Sequence, residues 1–344
     1  MLLITTFSAF LISVGTTPLI IALAHRHNWY DEQNQRKIHT EDTPRLGGIA
    51  IYISFSIPVL LSILFFSHTG VPVPWATRSI IFTFVGLTII HAMGLYDDFV
   101  NLPAIYKFLM QVLAAIAVIS GGVYIRSIHF PGLGGIALSP YLGIPLTILW
   151  ITAITNAVNL IDGADGLAGT ITAMAAFFMG LLAISQGNGP GAVLGFALVG
   201  AIAGFLVYNL PPARIFMGDS GSLMIGFIVA VLPIYGFDGT TGLFSAIPVL
   251  TLLYIPIIDT MLAIVRRLVR GLPIHSADRE HIHHRLIDRK VTGLRLLLVY
   301  FLAMTIFGSV AMAWYATTPV LASVLTALAW VGTFIAITLL ANPA

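Results

Sequence analysis

The chain has 344 residues, 58% of them hydrophobic and 9% charged, with a formal net charge of +2 and a mean hydropathy of +0.97. A soluble domain carries about 25% charged residues, so the composition excludes a water-soluble globule and demands a fold that satisfies its backbone inside lipid: a helical bundle or a closed barrel. There is no cysteine, which excludes disulfides and thiolate metal sites.

The apolar runs are long and do not alternate, so helices are predicted rather than barrel strands. Eleven spans, each near 20 residues, are read at roughly 2–24, 47–67, 77–96, 104–123, 141–160, 167–186, 190–209, 219–236, 243–265, 293–314 and 319–341. The first has no basic flank and reads as a membrane helix rather than a cleaved signal. Residues 1–344 are thus expected to form one integral-membrane domain, an all-α polytopic bundle. Of the 16 basic residues, all but Arg78 and Arg126 fall in the loops of one side. The positive-inside rule makes that side cytoplasmic, with the N-terminus outside and the C-terminus inside. Thirteen of the 14 acids share the same side, and only Asp238 faces out. Ionisable groups of both signs therefore crowd one face, which suits a site for phosphates and cations. The two longest inner loops, about 25–46 and 266–292, are expected to handle substrate.

In chain order, the first inner loop supplies Lys37 and Arg45, then Pro44, Gly47 and Gly48 for a tight turn into the second span. Its basic residues serve equally well as topology determinants; Lys37 is also a candidate for a lipid phosphate. Asp97, Asp98 and Asn101 follow where the third span meets the cytosol. Adjacent carboxylates repel, so one is expected to hold its proton unless a cation sits nearby, an arrangement suited to a base or to a magnesium–phosphate site. The alternative is a solvated helix end closed by Leu102-Pro103. Lys107, one to two turns into the next helix, can snorkel to the same surface and hold a lipid phosphate, or be an ordinary interface anchor.

Asn156, Asn159, Asp162 and Asp165 recur every three residues at the end of the fifth span, with Gly163 and Gly166 loosening the backbone. Helix stability does not call for four polar groups here. Such groups can bind a nucleobase, ribose or phosphate, and the structural alternative is polar contact between helices. The loop from Tyr208 to Ser222 carries Asn209, Phe216 and Asp219 into the eighth span. Asp219 is an N-cap or a ligand for a divalent cation; Phe216 can stack on a base. Four of the ten histidines fall between His275 and His284. They are interleaved with Arg279 and Arg285, which favours diphosphate over zinc, and headgroup contact is the alternative. Asp259 has no evident partner within its span.

Taken together these pieces resemble the polyprenyl-phosphate N-acetylhexosamine-1-phosphate transferases over nearly the whole chain. The resemblance rests on Pro44 to Gly48, Asp97-Asp98 with Asn101, Asn159 to Gly166, Asn209 to Gly221, and the histidine loop, in that order. It implies transfer of a sugar 1-phosphate from a UDP-sugar to undecaprenyl phosphate, with release of UMP. It implies dependence on Mg2+, with Mn2+ as a substitute, and a homodimer in the bacterial cytoplasmic membrane. It gives no role to nucleic acid. By the same resemblance Asp219 is the metal aspartate, Asp165 and Phe216 hold uracil, and Asn159, Asp162 and Asn209 surround ribose and diphosphate. Asp97 is the base toward the lipid phosphate, with Asp98 beside it. Arg279, His281, His283 and His284 hold phosphate oxygens. The string Ser276-Ala277-Asp278-Arg279-Glu280-His281-Ile282-His283-His284 resembles the N-acetylglucosamine branch more than the muramoyl-pentapeptide branch. A nucleotide-sugar transporter would place its polar groups at mid-membrane, and an intramembrane aspartyl protease would need a partner for Asp259.

Overall fold

A computed structural model describes residues 1–30, 43–68, 78–130, 134–236, 243–273, 278 and 280–341. Lys37 and Arg279 lie outside the described residues. The helices are α1 (Leu2–His27), α2 (Gly47–His68), α3 (Arg78–Val100), α4 (Ala104–Ser120), α5 (Pro140–Ile161), α6 (Leu167–Ser185), α7 (Gly189–Asn209), α8 (Gly218–Gly236), α9 (Ala246–Leu252), α10 (Tyr254–Val269), α11 (Ile282–Asp288), α12 (Leu294–Ala316) and α13 (Pro319–Ala341). Nine of those described are long and apolar enough to cross a membrane, so the protein is an all-α, multi-pass membrane protein. The fourth expected span is a shorter apolar helix, α4.

The ninth expected span is not one helix. It begins as a short strand, β3 (Leu243–Ser245), then divides into α9 and α10, which meet at 77°. Pro256 supplies the reason: it has no N–H to return to the carbonyl of Leu252, so the first helix cannot run through it, whereas a proline in the first turn of a new helix costs little. A small sheet was also not expected. β1 (Ser127–Phe130) pairs antiparallel with β2 (Gly134–Ala137) and parallel with β3. It lies beyond the C-terminal ends of α4 and α8, at the opposite end of the bundle from the acidic motifs.

The centre of the bundle is α8, with 89% of its membrane window buried, against 17% for the peripheral α13. Small residues bring the backbones close enough for dispersion to hold them, since lipid offers no hydrophobic drive between helices. A Cβ on Gly200 or Gly204 of α7 would collide with the carbonyls of Thr6 and Phe10 on α1, and one on Gly226 of α8 would press on Thr155 of α5. The same device sets the inner end of α8. Gly94 of α3 lies against the backbone of Asp219 and Ser220, and Gly48 of α2 against Ser220 and Gly221. The first turn of α8 is thereby wedged in a notch between two glycines.

Candidate active site

The acidic motifs converge at that first turn. Asp98, near the end of α3, accepts the backbone N–H groups of Asp219 and Ser220 at 2.7 and 3.1 Å. It caps α8 from a different helix, where the unpaired N–H groups and the helix dipole favour a negative charge. Gly218, at φ +70°, lets the chain pass this carboxylate, which a Cβ would strike. His91, stacked on Tyr52 at 4.4 Å, donates from Nδ1 to the carbonyl of Ser220 at 3.2 Å. The two adjacent aspartates thus face different partners.

Asp97, 4% exposed, accepts the backbone N–H of Leu102 at 2.6 Å through Oδ1. Its Oδ2 lies 2.5 Å from Lys107 Nζ, and the same ammonium lies 2.7 Å from Asp219 Oδ2. Lys107 is therefore not a free anchor. It bridges two carboxylates that come from α3 and α8. The other oxygen of Asp219 accepts from Asn159 Nδ2 at 3.2 Å, and Asn159 also donates to Ser222 Oγ at 2.9 Å. One turn deeper Asn156 and Gln111 exchange amide hydrogen bonds, so Asn156 is a tie between α4 and α5.

Asp162 caps the C-terminal end of α5. Its carboxyl is pushed up to about 7, by burial first, then by the negative charges of Asp219, Asp98 and Asp165, with Arg45 pulling the other way. Asp165 accepts the N–H of Ala213 at 3.0 Å through Oδ2. Asn209 is buried and spoken for at both ends: it accepts from Gly166 N at 3.0 Å and donates to the carbonyl of Ile215 at 2.7 Å. In this arrangement it is a strut that shapes the loop before α8. Phe216 lies on that loop, which pairs with the approach to α2. Phe216 N donates to Pro44 O at 2.7 Å, Gly47 N to Phe216 O at 3.0 Å and Gly48 N to Met217 O at 2.9 Å. The glycine pair read as a turn is also half of this two-stranded lock.

The histidines arrive on α11. His283 is buried, its ring set against Gly163 of the acidic loop, and neither ring nitrogen has a hydrogen-bond partner among the described residues. Burial, then the neighbouring His284, hold its pKa down to about 4, with His281 adding to the fall and Asp259 opposing it. His281 stacks on His283 at 5.8 Å, and the His284 ring lies 4.2 Å from that of His283, tilted by 43°. The segment is pinned to α10 by ion pairs. Arg266 donates to Asp278 Oδ2 at 2.6 and 3.1 Å, Arg270 meets Glu280 at 2.6 Å, and Arg285 donates to the Glu280 carbonyl at 3.0 Å. Burial would raise the Asp278 carboxyl, but the Glu280 N–H and Arg266 outweigh it and hold it below the usual range.

Asp259 is the residue sequence reasoning missed. Far from lacking a partner, it accepts His281 Nδ1 through Oδ2 and the Ile282 N–H through Oδ1, both at 2.9 Å. The break before α10 swings Asp259 to the histidines, and a reading of 243–265 as one straight helix hides that meeting.

Residues 80–237 match the family described as Glycosyl transferase family 4. The chain is 36% identical over 304 residues to the probable undecaprenyl-phosphate N-acetylglucosaminyl 1-phosphate transferase of Bacillus subtilis, covering 87% of this chain and 82% of that protein. The chain belongs to glycosyl transferase family 4. The decaprenyl-phosphate N-acetylglucosaminephosphotransferase of Mycobacterium leprae is 35% identical over 86% of this chain and 79% of its own length. The undecaprenyl-phosphate alpha-N-acetylglucosaminyl 1-phosphate transferase of Escherichia coli K12 is 27% identical over 81% and 75%. The family match spans the carboxylates of α3, α5 and α8 and Lys107, and ends before the histidine segment.

Proposed function

We propose that this protein transfers N-acetylglucosamine 1-phosphate from UDP-N-acetylglucosamine to undecaprenyl phosphate, giving the lipid diphosphate-sugar and UMP. The reading places it in the bacterial cytoplasmic membrane, with this site on the cytoplasmic face and the chain acting as a homodimer. The observation that carries it is the pair Asp97 and Asp219, drawn onto one ammonium beside Asp98, Asp162 and Asp165. The acids outnumber the nearby cations, yet both reactants are phosphate anions. Such a site admits them only with added positive charge.

Among the described residues no three histidine, aspartate or glutamate side chains form a ready metal cage. Magnesium does not require one: it takes one or two carboxylates and fills its shell with water and substrate phosphate. The oxygen-only carboxylate of Asp219, steadied by Asn159, fits it. Held by Asp219, Mg2+, or Mn2+ in its stead, would neutralise diphosphate charge and favour departure of UMP.

The rest falls to the chain. Asn159 holds the Asp219 carboxylate in place, and Asp98 fixes the helix that carries it. Asp97 receives the proton of a monoprotonated lipid phosphate. A lipid-phosphate oxygen then bonds to the phosphorus bearing the sugar, the bond from that phosphorus to the UMP oxygen breaks, and its electron pair leaves with UMP. Asp97 already accepts from Leu102 N and Lys107 through separate oxygens. Each oxygen keeps a second lone pair, so Asp97 can take that proton without giving up either contact. The histidines would meet the diphosphate-sugar and Asp165 with Phe216 the uracil. The test uses purified protein, undecaprenyl phosphate and radiolabelled UDP-N-acetylglucosamine. Lipid-linked label and UMP should form in equal amounts and cease with chelator. Label transferred only from UDP-muramoyl-pentapeptide, or no transfer, overturns the reading.

A further inference from the structure

We propose that Asp259 is a positioning residue that fixes His281 for the reaction, holding its proton on Nδ1 and so leaving Nε2 as an acceptor for a hydroxyl or the acetamido N–H of the donor sugar. The inference rests on the assignment of the histidine segment to the transferase site. Asp259 is 2% exposed and His281 4%. A carboxylate only accepts hydrogen bonds, so the 2.9 Å contact requires the hydrogen on His281 Nδ1. The second oxygen takes the backbone N–H of Ile282, also at 2.9 Å, so the carboxylate cannot rotate without breaking a further bond. One side chain thereby sets the tautomer, the ring plane and the start of α11. The parallel ring of His283, 9° from that of His281, passes this orientation toward Gly163. The hydrogen bonds of Asp259 go to His281 and Ile282 and not to the acidic cluster at the start of α8. A buried acid on an otherwise apolar stretch of α10, with both oxygens committed to one histidine and its neighbour, has no evident task except to orient that histidine.

Asp259→Asn separates orientation from packing. The amide oxygen can keep Ile282 N–H, but its NH2 then faces Nδ1 and drives the proton to Nε2. The full-length protein is compared with Asp259→Asn, His281→Gln and the double variant in detergent. Asp259→Asn should keep its melting temperature and its KM for lipid phosphate while kcat falls about 10- to 100-fold. The double variant should be no slower than His281→Gln alone. In 15N-histidine spectra of the wild type, the resonances lost in His281→Gln should be those of an Nδ1–H tautomer. Multiplied losses in the double variant, unchanged kcat in Asp259→Asn, or an Nε2–H tautomer in the wild type would each overturn the role of Asp259. Should Asp259→Asn fail to fold, the wild-type spectrum alone decides. A fully active His281→Gln would instead remove the histidine segment from the site, and this inference with it.

Discussion

Lys107→Met tests the centre of the site. The ammonium is 26% exposed and lies 2.5 and 2.7 Å from two carboxylate oxygens, one of them on a side chain only 5% exposed. At an effective dielectric near 20, each contact is worth about 6 kcal/mol of direct attraction before desolvation is subtracted. Desolvation offsets much of that, and partial exposure more. Breaking a buried pair costs about 3–5 kcal/mol, so about 2–3 kcal/mol is expected for this half-covered one. The variant should therefore fold with reduced stability. Asp97 and Asp219, now facing each other without a shared cation, should turn apart. If the reaction uses both, kcat should fall about 100-fold or more. The site would also be one unit more negative, so the Mg2+ concentration for half-maximal rate should drop as kcat drops. Lys107→Arg keeps the charge and should retain more activity. The assay is initial UMP release against Mg2+ at saturating lipid phosphate. Wild-type kcat in Lys107→Met, or a magnesium curve that does not move, would refute the picture of one ammonium shared by two working carboxylates.

Asp98→Ala should act on structure: it strips two N–H groups at the start of α8 of a charged acceptor, for a loss of about 2–3 kcal/mol seen as a lower melting temperature. Asp98→Asn, which keeps an acceptor oxygen, should recover part of it. Gly163→Ala should push the His283 ring away and cut activity about 10- to 100-fold with little change in melting temperature, measured by UMP release. His283 makes stability depend on pH. Its folded pKa of about 4 lies below the ordinary 6.5, so the unfolded chain binds the extra proton first. The contribution is fully present above pH 6.5 and is lost as pH falls toward 4, by about 3 kcal/mol in all. Thermal melts should show a steeper acid-side loss in the wild type than in His283→Leu.

The sequence was most legible where charge meets an apolar run. Asp97, Asp98, Asp162, Asp165 and Asp219 all sit at the ends of spans on one side, and topology alone brings those ends together. What each carboxylate does was not legible. Asp97 and Asp98 are neighbours on a helix and so point about 100° apart, which gives one to Lys107 and the other to α8. Lys107 read as a lipid-phosphate contact or an anchor because nothing local says that Asp219, 112 positions away, will reach it. Asn209 was placed beside ribose and diphosphate by the resemblance alone, and nothing local says that its amide will join Gly166 to Ile215. Asp259 stayed hidden because periodicity cannot see a break that one missing N–H produces.

The wedge between Gly48 and Gly94 has a mechanical consequence. Of the candidate spans the helix that bears Asp219 is the most enclosed, and it is clamped at its first turn, so the phosphate chemistry proposed for it would be mounted on a part with little room to give. The histidines are carried by α11 and the segment before it, tied to α10 by ion pairs and by Asp259, and α10 itself follows a bend of 77°. The Asp219 side is thus set by backbone against backbone, and the histidine side by contacts between side chains, which a single substitution can shift without displacing a helix. Changes that retune turnover should be better tolerated there than at Gly48 or Gly94, where any side chain meets main chain.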